Sequence, residues 1–210
     1  WRIFIEDVKS AYFKNTLYGR ELTPMSYNLP LFKDTVSGSA IKPRVALTFD
    51  ALDNSDGLTA ILSSLNKYKL RSTFFLNGEF MRRFPTAVTE LVSLGHQCGS
   101  MFYTPYVLNT PLYRVDENFI RRGLARNEDD FYALTGSELS LIWHTPQYYS
   151  NSVILTAGKN AGYKYIDRGL SPLDTVTLEA AASRGETYQS ASDIINEIVK
   201  QLKPGAIIPI

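Results

Sequence analysis

The stretch RVALTFDALD, residues 44–53, decides the fold class of this chain. Its first half, Arg44–Phe49, is a short apolar run rich in β-forming residues and predicts a buried strand. Apolar residues at helical spacing follow in Leu58–Lys69 and predict a helix. About six alternations of this kind run to the end of the chain, which predicts a parallel sheet with helical crossovers. The sheet is either open and doubly wound or closed into a barrel.

The other elements are predicted from the same periodicities and from turn residues at their ends. The predicted strands are Ser72–Leu76, Gln97–Met101, Ser140–Trp143, Tyr163–Ile166 and Ala206–Ile210. The predicted helices are Pro85–Leu94, Asp116–Leu134, Ser152–Ala161 and Ser192–Leu202, the last with Ser192 as its N-cap. Function in such sheets resides at the carboxyl ends of the strands.

Residues 1–43 have a different character from the rest. Proline, glycine and asparagine punctuate this stretch, and it has little periodicity. It predicts a wrapping extension, or a linker from a missing upstream domain. Residues 44–210 predict the α/β domain itself.

The composition excludes several classes of function. Lys and Arg number 22 against 21 Asp and Glu, and a net charge of +1 provides no electrostatic footprint for nucleic acid or anionic lipid. The single cysteine, Cys98, rules out an intrachain disulfide and a thiolate metal cluster. No run of ~18 apolar residues occurs, so no membrane span is expected in this chain.

Four short motifs follow or form the predicted strands in a fixed order. They are TFDALD at 48–53, STFF at 72–75, GHQCGSM at 95–101 and WHTP at 143–146. This ordered set resembles the NodB-type polysaccharide deacetylases, carbohydrate esterase family four, over about residues 44–210. The resemblance implies a deformed (β/α) barrel that hydrolyses acetamido groups of N-acetylated glycans with the help of a metal ion.

The residues that this resemblance assigns to the metal are replaced in the chain. The family motif has two aspartates, a general base and then a metal ligand; here Asp50 matches the base and Ala51 replaces the ligand. Met101 and Pro105 stand where the family has two histidines. A catalytic zinc needs about three N or O ligands, and a thioether suits it poorly. We therefore expect no metal at these positions and no other cofactor.

His144 stands where the family has an arginine that orients the base. It ends an apolar strand, so its side chain should point into the top of the sheet. Two interpretations stay open: acid–base work with Asp50 or contact with a sugar hydroxyl, and simple pairing with a carboxylate in the arginine's place. Asp50 is correspondingly either a retained base or a carboxylate that holds backbone amides. The family's later Asp-Trp pair has its nearest match in Asp174-Thr175.

Other polar residues favour structural roles. His96 is expected to be a hydrogen-bonded structural histidine. Asp53, Asn54 and Asp56 crowd one loop, where the alternatives are a replacement cation site and a solvated turn in which Asp56 caps the next helix.

Aromatic residues cluster in the two loops where the family's metal and arginine positions are changed. They are Phe102, Tyr103, Tyr106, Trp143, Tyr148 and Tyr149. Aromatic faces stack on sugars, and Tyr hydroxyls bond sugar hydroxyls. We expect a groove lined by Trp143, Tyr148 and one or more of Phe102, Tyr103 and Tyr106. Packing within the loops is the alternative.

Three functions follow from these features. The first is a glycan-binding or accessory domain that has lost catalysis, and the second is a metal-independent hydrolase that uses Asp50 and His144. The third is a structural domain that supports a missing upstream partner. The expected partner is a glycan, either an N-acetylated polysaccharide or peptidoglycan. The resemblance implies a location in the bacterial cell envelope or outside the cell.

Overall fold

The computed structural model describes residues 44–109, 114–170, 176, 178–185 and 187–210. The predicted extension, residues 1–43, and the pair Asp174-Thr175 lie outside the described residues. The described chain divides into two compact units. One contains Asp50–Asp167, and the other contains residues 44–49 and Arg168–Ile210.

Strands and helices alternate along the described residues, as the sequence predicts. The strands are β1 Ala46–Ala51, β2 Thr73–Leu76, β3 Gln97–Ser100, β4 Ile142–Trp143, β5 Lys164–Tyr165 and β6 Ile207–Pro209. The helices are α1 Leu58–Lys67, α2 Gly78–Arg83, α3 Pro85–Ser93, α4 Glu117–Thr135, α5 Ser152–Asn160, α6 Leu178–Arg184 and α7 Ala191–Gln201. A short 3₁₀ helix covers Pro146–Tyr148. Helices α2 and α6 and the 3₁₀ turn were not predicted.

The first unit contains four parallel strands in the order β5-β4-β3-β2. Leu76 pairs with Ser100, and Ser100 pairs with Trp143, so these strands end at the same level. The end of β1 also belongs to this unit, where the Asn77 N–H donates to the Ala51 carbonyl at 3.0 Å. The residues that follow these strands therefore lie at one edge.

Helices α4 and α5 bury an aromatic core in the first unit. Phe102 and Trp143 are fully buried there with Ile120, Leu124 and Ile154. Both rings pack directly on glycines. A Cβ at Gly123 would lie 2.2 Å from the Phe102 ring, and one at Gly158 would lie 2.4 Å from the Trp143 ring. Such distances leave no space for a side chain, so both glycines permit close helix packing.

The second unit pairs β1 with β6 in parallel, with Ala46 opposite Ile207 and Thr48 opposite Pro209. The Ile210 N–H extends this pairing by donating to the Thr48 carbonyl at 2.9 Å. The predicted last strand is thus confirmed, although it is shorter than Ala206–Ile210.

Two helix N-termini differ from the prediction. Helix α7 begins after Ser190, whose hydroxyl accepts from the Asp193 N–H at 3.2 Å, so Ser192 is not the cap. Helix α1 begins after Gly57, which makes no side-chain cap bond, so the expected cap by Asp56 is wrong. The Asp56 N–H instead donates to the Asn54 side chain at 3.1 Å, which places this residue inside a local turn.

Candidate functional site

Asp50 and His144 meet at the carboxyl edge of the first unit. Asp50 lies near the end of β1, and His144 directly follows β4. The His144 Nε2 atom lies 3.1 Å from the Asp50 Oδ1 atom. His144 is fully buried, whereas the Asp50 side chain keeps 27% of its exposure. The carboxylate therefore has one face on the imidazole and another open to solvent.

The surroundings of His144 favour pairing with a carboxylate. Its Nδ1 atom lies 3.0 Å from the Thr145 carbonyl oxygen, and the Phe75 ring meets the imidazole edge-on at 4.4 Å. Both ring nitrogens thus face oxygen atoms, and each of them can form a hydrogen bond there when it carries the hydrogen.

The Tyr148 side chain covers the pair formed by Asp50 and His144. Its ring stacks on His144 at a centroid distance of 4.1 Å and an interplanar angle of 10°. Its hydroxyl donates to the Asp50 Oδ1 atom at 3.3 Å. Gln147 and Tyr148 have φ angles of 56° and 58°, in the left-handed region that side chains disfavour. Strain of this kind persists where the surrounding structure holds it in place.

Two hydroxyl groups hold the strained turn. The Thr145 hydroxyl donates to the Tyr149 carbonyl, and the Tyr165 hydroxyl donates to the Tyr148 carbonyl at 3.3 Å. Burial raises the pKa of the Tyr165 phenol, although hydrogen bonds with Thr145 oppose the rise. A phenol with a raised pKa keeps its proton and remains a donor at neutral pH.

Asn77 organises the loop after β3, and sequence analysis did not single it out. Its side-chain amide lies 3.0 Å from the carbonyl oxygens of Met101 and Phe102 and 2.9 Å from that of Thr104. Its side-chain oxygen accepts from the Glu79 N–H at 2.9 Å and so caps α2. The sequence signal was present, because an Asn after a buried strand and before a helix is a typical N-cap.

Comparison with known proteins decides the family. The model of the family described as "Polysaccharide deacetylase" matches residues 37–166, more than half of the chain. The chain belongs to the polysaccharide deacetylase family. The resemblance read from the strand-end motifs is thereby confirmed.

Two relatives of this deacetylase-family chain are peptidoglycan deacetylases. A peptidoglycan-N-acetylglucosamine deacetylase of Bacillus cereus is 31% identical over 114 residues, 54% of this chain and 40% of the relative. The peptidoglycan-N-acetylmuramic acid deacetylase PdaA of Bacillus subtilis is 22% identical over 171 residues, 81% of this chain and 60% of the relative. The chain therefore spans less than two thirds of these curated relatives.

Solved structures confirm the predicted deformed (β/α) barrel of the deacetylase type. The PdaA structure superposes with a TM-score of 0.69 at 20% identity, covering 86% of this chain and 74% of that one. A pseudoenzyme of the CE4 family from Bacillus anthracis superposes with a TM-score of 0.66 at 18% identity, covering 81% of this chain and 55% of that one. Among the described residues of this chain, no helix is long and apolar enough to cross a membrane.

The family's metal does not fit the residues present. Ala51 and Pro105 carry no donor atom, and the Met101 side chain is only 2% exposed. A buried thioether is a poor ligand for zinc, which prefers nitrogen, oxygen or thiolate. Within the described residues, no group of three or more His, Cys, Asp and Glu side chains is placed to hold a metal ion.

The structure corrects two of the five predicted glycan contacts. Trp143 and Phe102 are 0% exposed and belong to the core beside α4 and α5. Neighbouring residues of a strand point to opposite faces, so the orientation of His144 towards Asp50 sends Trp143 to the helix side. Phe102 has a φ angle of 63°, and its ring packs against Gly123 of α4.

The other three predicted contacts reach the surface to different degrees. Tyr106 is 56% exposed, and Tyr148 is partly buried over His144. Tyr103 is partly buried, and the guanidinium groups of Arg82 and Arg126 lie 4.6 and 4.4 Å from its ring centre. These cations hold the Tyr103 ring in place.

The surroundings of His96 and Cys98 favour structural roles for both side chains. The His96 Nδ1 atom accepts from the Ser72 N–H at 3.3 Å, and burial followed by the nearby Arg71 charge lowers the pKa of the imidazole. Burial raises the pKa of the Cys98 thiol to about 12. The thiol therefore stays protonated and unreactive at neutral pH.

Proposed function

We propose that this chain is a carbohydrate-active domain of the polysaccharide deacetylase family that binds glycan and has lost the metal-dependent reaction. The observation that carries the proposal is the lack of metal-ligand side chains at the positions that the resemblance assigns to the metal. Ala51 and Pro105 offer no ligand, and Met101 turns a buried thioether away from solvent. Without a Lewis acid, water is not activated and the oxyanion of the tetrahedral intermediate is not stabilised.

The state of Asp50 supports the same proposal. Its Oδ1 atom lies 3.1 Å from the His144 imidazole and receives the Tyr148 hydroxyl at 3.3 Å. These two contacts hold the Asp50 carboxylate in one orientation. In this arrangement Asp50 supports the geometry of the strained turn instead of moving protons.

The proposed partner is an N-acetylated glycan such as peptidoglycan. Two of the relatives compared above are named as peptidoglycan deacetylases, and a CE4 pseudoenzyme shares the fold. A glycan partner of this kind places the domain in the bacterial cell envelope or outside the cell. An accessory role beside an upstream domain is compatible with glycan binding.

The test combines a binding assay with a chemical assay on the same samples. Purified chain is mixed with insoluble peptidoglycan, sedimented, and the supernatant is assayed for released acetate with zinc and with chelator. We expect the chain to sediment with the glycan and no acetate to appear. Acetate release that needs zinc contradicts the proposed loss of the metal-dependent reaction. A chain that does not sediment with peptidoglycan contradicts the proposed glycan partner.

A diverged hydrolase is the second candidate, because Asp50 keeps 27% side-chain exposure while it contacts a buried imidazole. In that reaction Asp50 takes a proton from water, and the water oxygen bonds to the acetamide carbonyl carbon. The C–N bond then breaks, the proton passes to the leaving amine, and acetate and a free amino sugar result. His144 would hold the carboxylate in position.

The hydrolase predicts a chelator-resistant release of acetate that the Asp50→Asn variant lacks. The melting temperature of that variant should then stay nearly unchanged, since a base open to solvent contributes little to folding. Absence of acetate in the unmodified chain excludes this candidate.

A further inference from the structure

The chain contains one Asn-Gly sequence, Asn77-Gly78, at the point where β2 ends and α2 begins. An asparagine side chain can be attacked by the backbone nitrogen of the following residue, and asparagine is for this reason a thermolabile residue. Glycine hinders the attack least, because it has no Cβ and its backbone adopts conformations that other residues avoid. By this criterion Asn77 is the most reactive asparagine of the sequence once its backbone is free.

The fold requires an asparagine at position 77. Its side chain is 0% exposed, and its amide nitrogen lies 3.0, 3.0 and 2.9 Å from the carbonyl oxygens of Met101, Phe102 and Thr104. Its side-chain oxygen accepts from the Glu79 N–H at 2.9 Å. A carboxylate only accepts hydrogen bonds, so an aspartate at this place would face three carbonyl oxygens without a donor. Deamidation would therefore remove the contacts that hold the loop after β3.

The fold also requires a glycine at position 78. A Cβ there would lie 2.6 Å from the Tyr103 carbonyl oxygen and 2.8 Å from the Tyr103 ring. The carbonyl oxygen belongs to the backbone, so a side chain at position 78 would displace the loop after β3. Two packing requirements on adjacent residues thus create a reactive sequence that neither requirement would produce alone.

The folded loop holds both reacting groups in hydrogen bonds. The Gly78 N–H donates to the Phe102 carbonyl oxygen at 3.2 Å, and the Asn77 amide nitrogen contacts the same oxygen at 3.0 Å. Attack needs a Gly78 nitrogen without its proton and an Asn77 side chain that is free to turn towards it. Both conditions require the loop after β3 to open, because Phe102 is the shared partner. Proteins open locally in this way at a lower free energy than they unfold globally.

We propose that Asn77-Gly78 is a modification site at which deamidation makes the opening of this loop irreversible. In the open state a solvent base takes the Gly78 amide proton, and the Gly78 nitrogen bonds to the Asn77 Cγ atom. The Cγ–Nδ2 bond breaks, and the leaving nitrogen takes up a proton from water and departs as ammonia. Water then opens the cyclic imide at either of its carbonyl carbons, which leaves aspartate or isoaspartate at position 77. The proposal does not depend on glycan binding.

Both products prevent the loop from closing as before. Aspartate brings a carboxylate, which has no donor, to the carbonyl oxygens of Met101, Phe102 and Thr104. A buried charge that lacks partners strongly destabilises a protein. Isoaspartate lengthens the main chain by a methylene group between β2 and α2, so the cap on the Glu79 N–H is lost.

The first test compares rates of deamidation in native buffer and in urea, measured by peptide mapping with mass spectrometry. Asn54, which is exposed and precedes Ser55, is the reference within the same molecule. We expect Asn77 to react more slowly than Asn54 in native buffer and faster than Asn54 in urea. The rate at Asn77 itself should rise in urea by at least about tenfold, which corresponds to an opening free energy of about 1.4 kcal/mol or more. Gly78→Ala is the control in urea, where its packing clash is absent, and it should slow the reaction at Asn77.

A second measurement tests the consequence for the loop. Asn77→Asp reproduces one product, and Asn54→Asp is its matched control in an exposed turn. We expect the Asn77→Asp chain to melt at a lower temperature and to be cleaved by protease in the loop after β3, whereas the control should match the unmodified chain. Equal rates at Asn77 in native buffer and in urea, or an unreactive Asn77 in urea, would overturn the modification site. An Asn77→Asp chain with unchanged melting temperature and protease resistance would overturn the irreversibility.

Discussion

At the scale of single residues, Tyr148 has an unusual backbone conformation and a central place in the site. Here a tyrosine adopts a φ angle of 58° and uses it to stack on His144 and to reach Asp50. The left-handed conformation costs roughly 1–2 kcal/mol for a residue with a Cβ. The stacking and the hydrogen bond offset this strain.

The change Asp50→Asn tests whether the carboxylate is structural. An amide can keep the shape but loses the charge opposite the buried His144, so we expect the free energy of unfolding to fall by about 1–2 kcal/mol. Urea denaturation followed by fluorescence measures the difference. The control is Asp56→Asn, an exposed carboxylate whose removal should change stability by less than about 0.5 kcal/mol.

Equal stability of the two variants would contradict the structural role of Asp50. Such a result, together with chelator-resistant acetate release, would indicate that Asp50 is a catalytic base.

The contact of Asp50 with His144 could be predicted from the sequence, because both residues lie at the carboxyl ends of parallel strands and these ends share one edge of the sheet. The orientation of Trp143 could also be predicted, since Trp143 directly precedes His144 and must face the other way. The conformation of Tyr148 could not be predicted from the sequence. Tyrosine rarely adopts positive φ, and only the neighbours Thr145 and Tyr165 make it stable here.

At the scale of elements, the long helices and buried strands agree with the prediction, usually within two or three residues. Apolar periodicity marks α1, α4 and α5, and Gly136 ends α4 with a φ angle of 67°. Helix α2 escaped prediction because its six residues are too few to show a period, although Asn77 caps it. The start of α7 was placed two residues late because Ser190 and Ser192 are equally good caps by residue type.

The N-terminus of α7 gives a sharp test of that correction. Ser190 and Asp193 form a reciprocal capping box, with the Ser190 hydroxyl bonded to the Asp193 N–H at 3.2 Å and the Asp193 carboxylate 3.3 Å from the Ser190 N–H. We expect Ser190→Ala to lower the free energy of unfolding by about 1 kcal/mol. Ser192→Ala is the matched control and should be neutral or slightly stabilising, because alanine is the better helix former. Thermal unfolding of both variants measures this, and the reverse ranking would reinstate Ser192 as the cap.

At the scale of the whole molecule, the chain has the family fold, and Ala51, Met101 and Pro105 stand at the positions that the resemblance assigns to the metal. The core pairs Trp143 with Gly158 and Phe102 with Gly123, and the strand-end residues Asp50 and His144 still meet. These contacts depend on packing and backbone geometry, which the sequence periodicities reflect. Residues of the exposed loops follow no period in the sequence, so their contacts could not be predicted in the same way.

Zinc content is the most direct test of the central claim that the metal site is lost. The chain is dialysed with excess zinc, then against metal-free buffer, and its zinc is measured by mass spectrometry beside melting curves with and without chelator. The triple variant Ala51→Asp, Met101→His, Pro105→His, which restores the family's ligand types, is the positive control. We predict far less than one zinc per unmodified chain and a melting temperature that chelator does not change. One zinc per unmodified chain, with a lower melting temperature after chelation, would contradict the account.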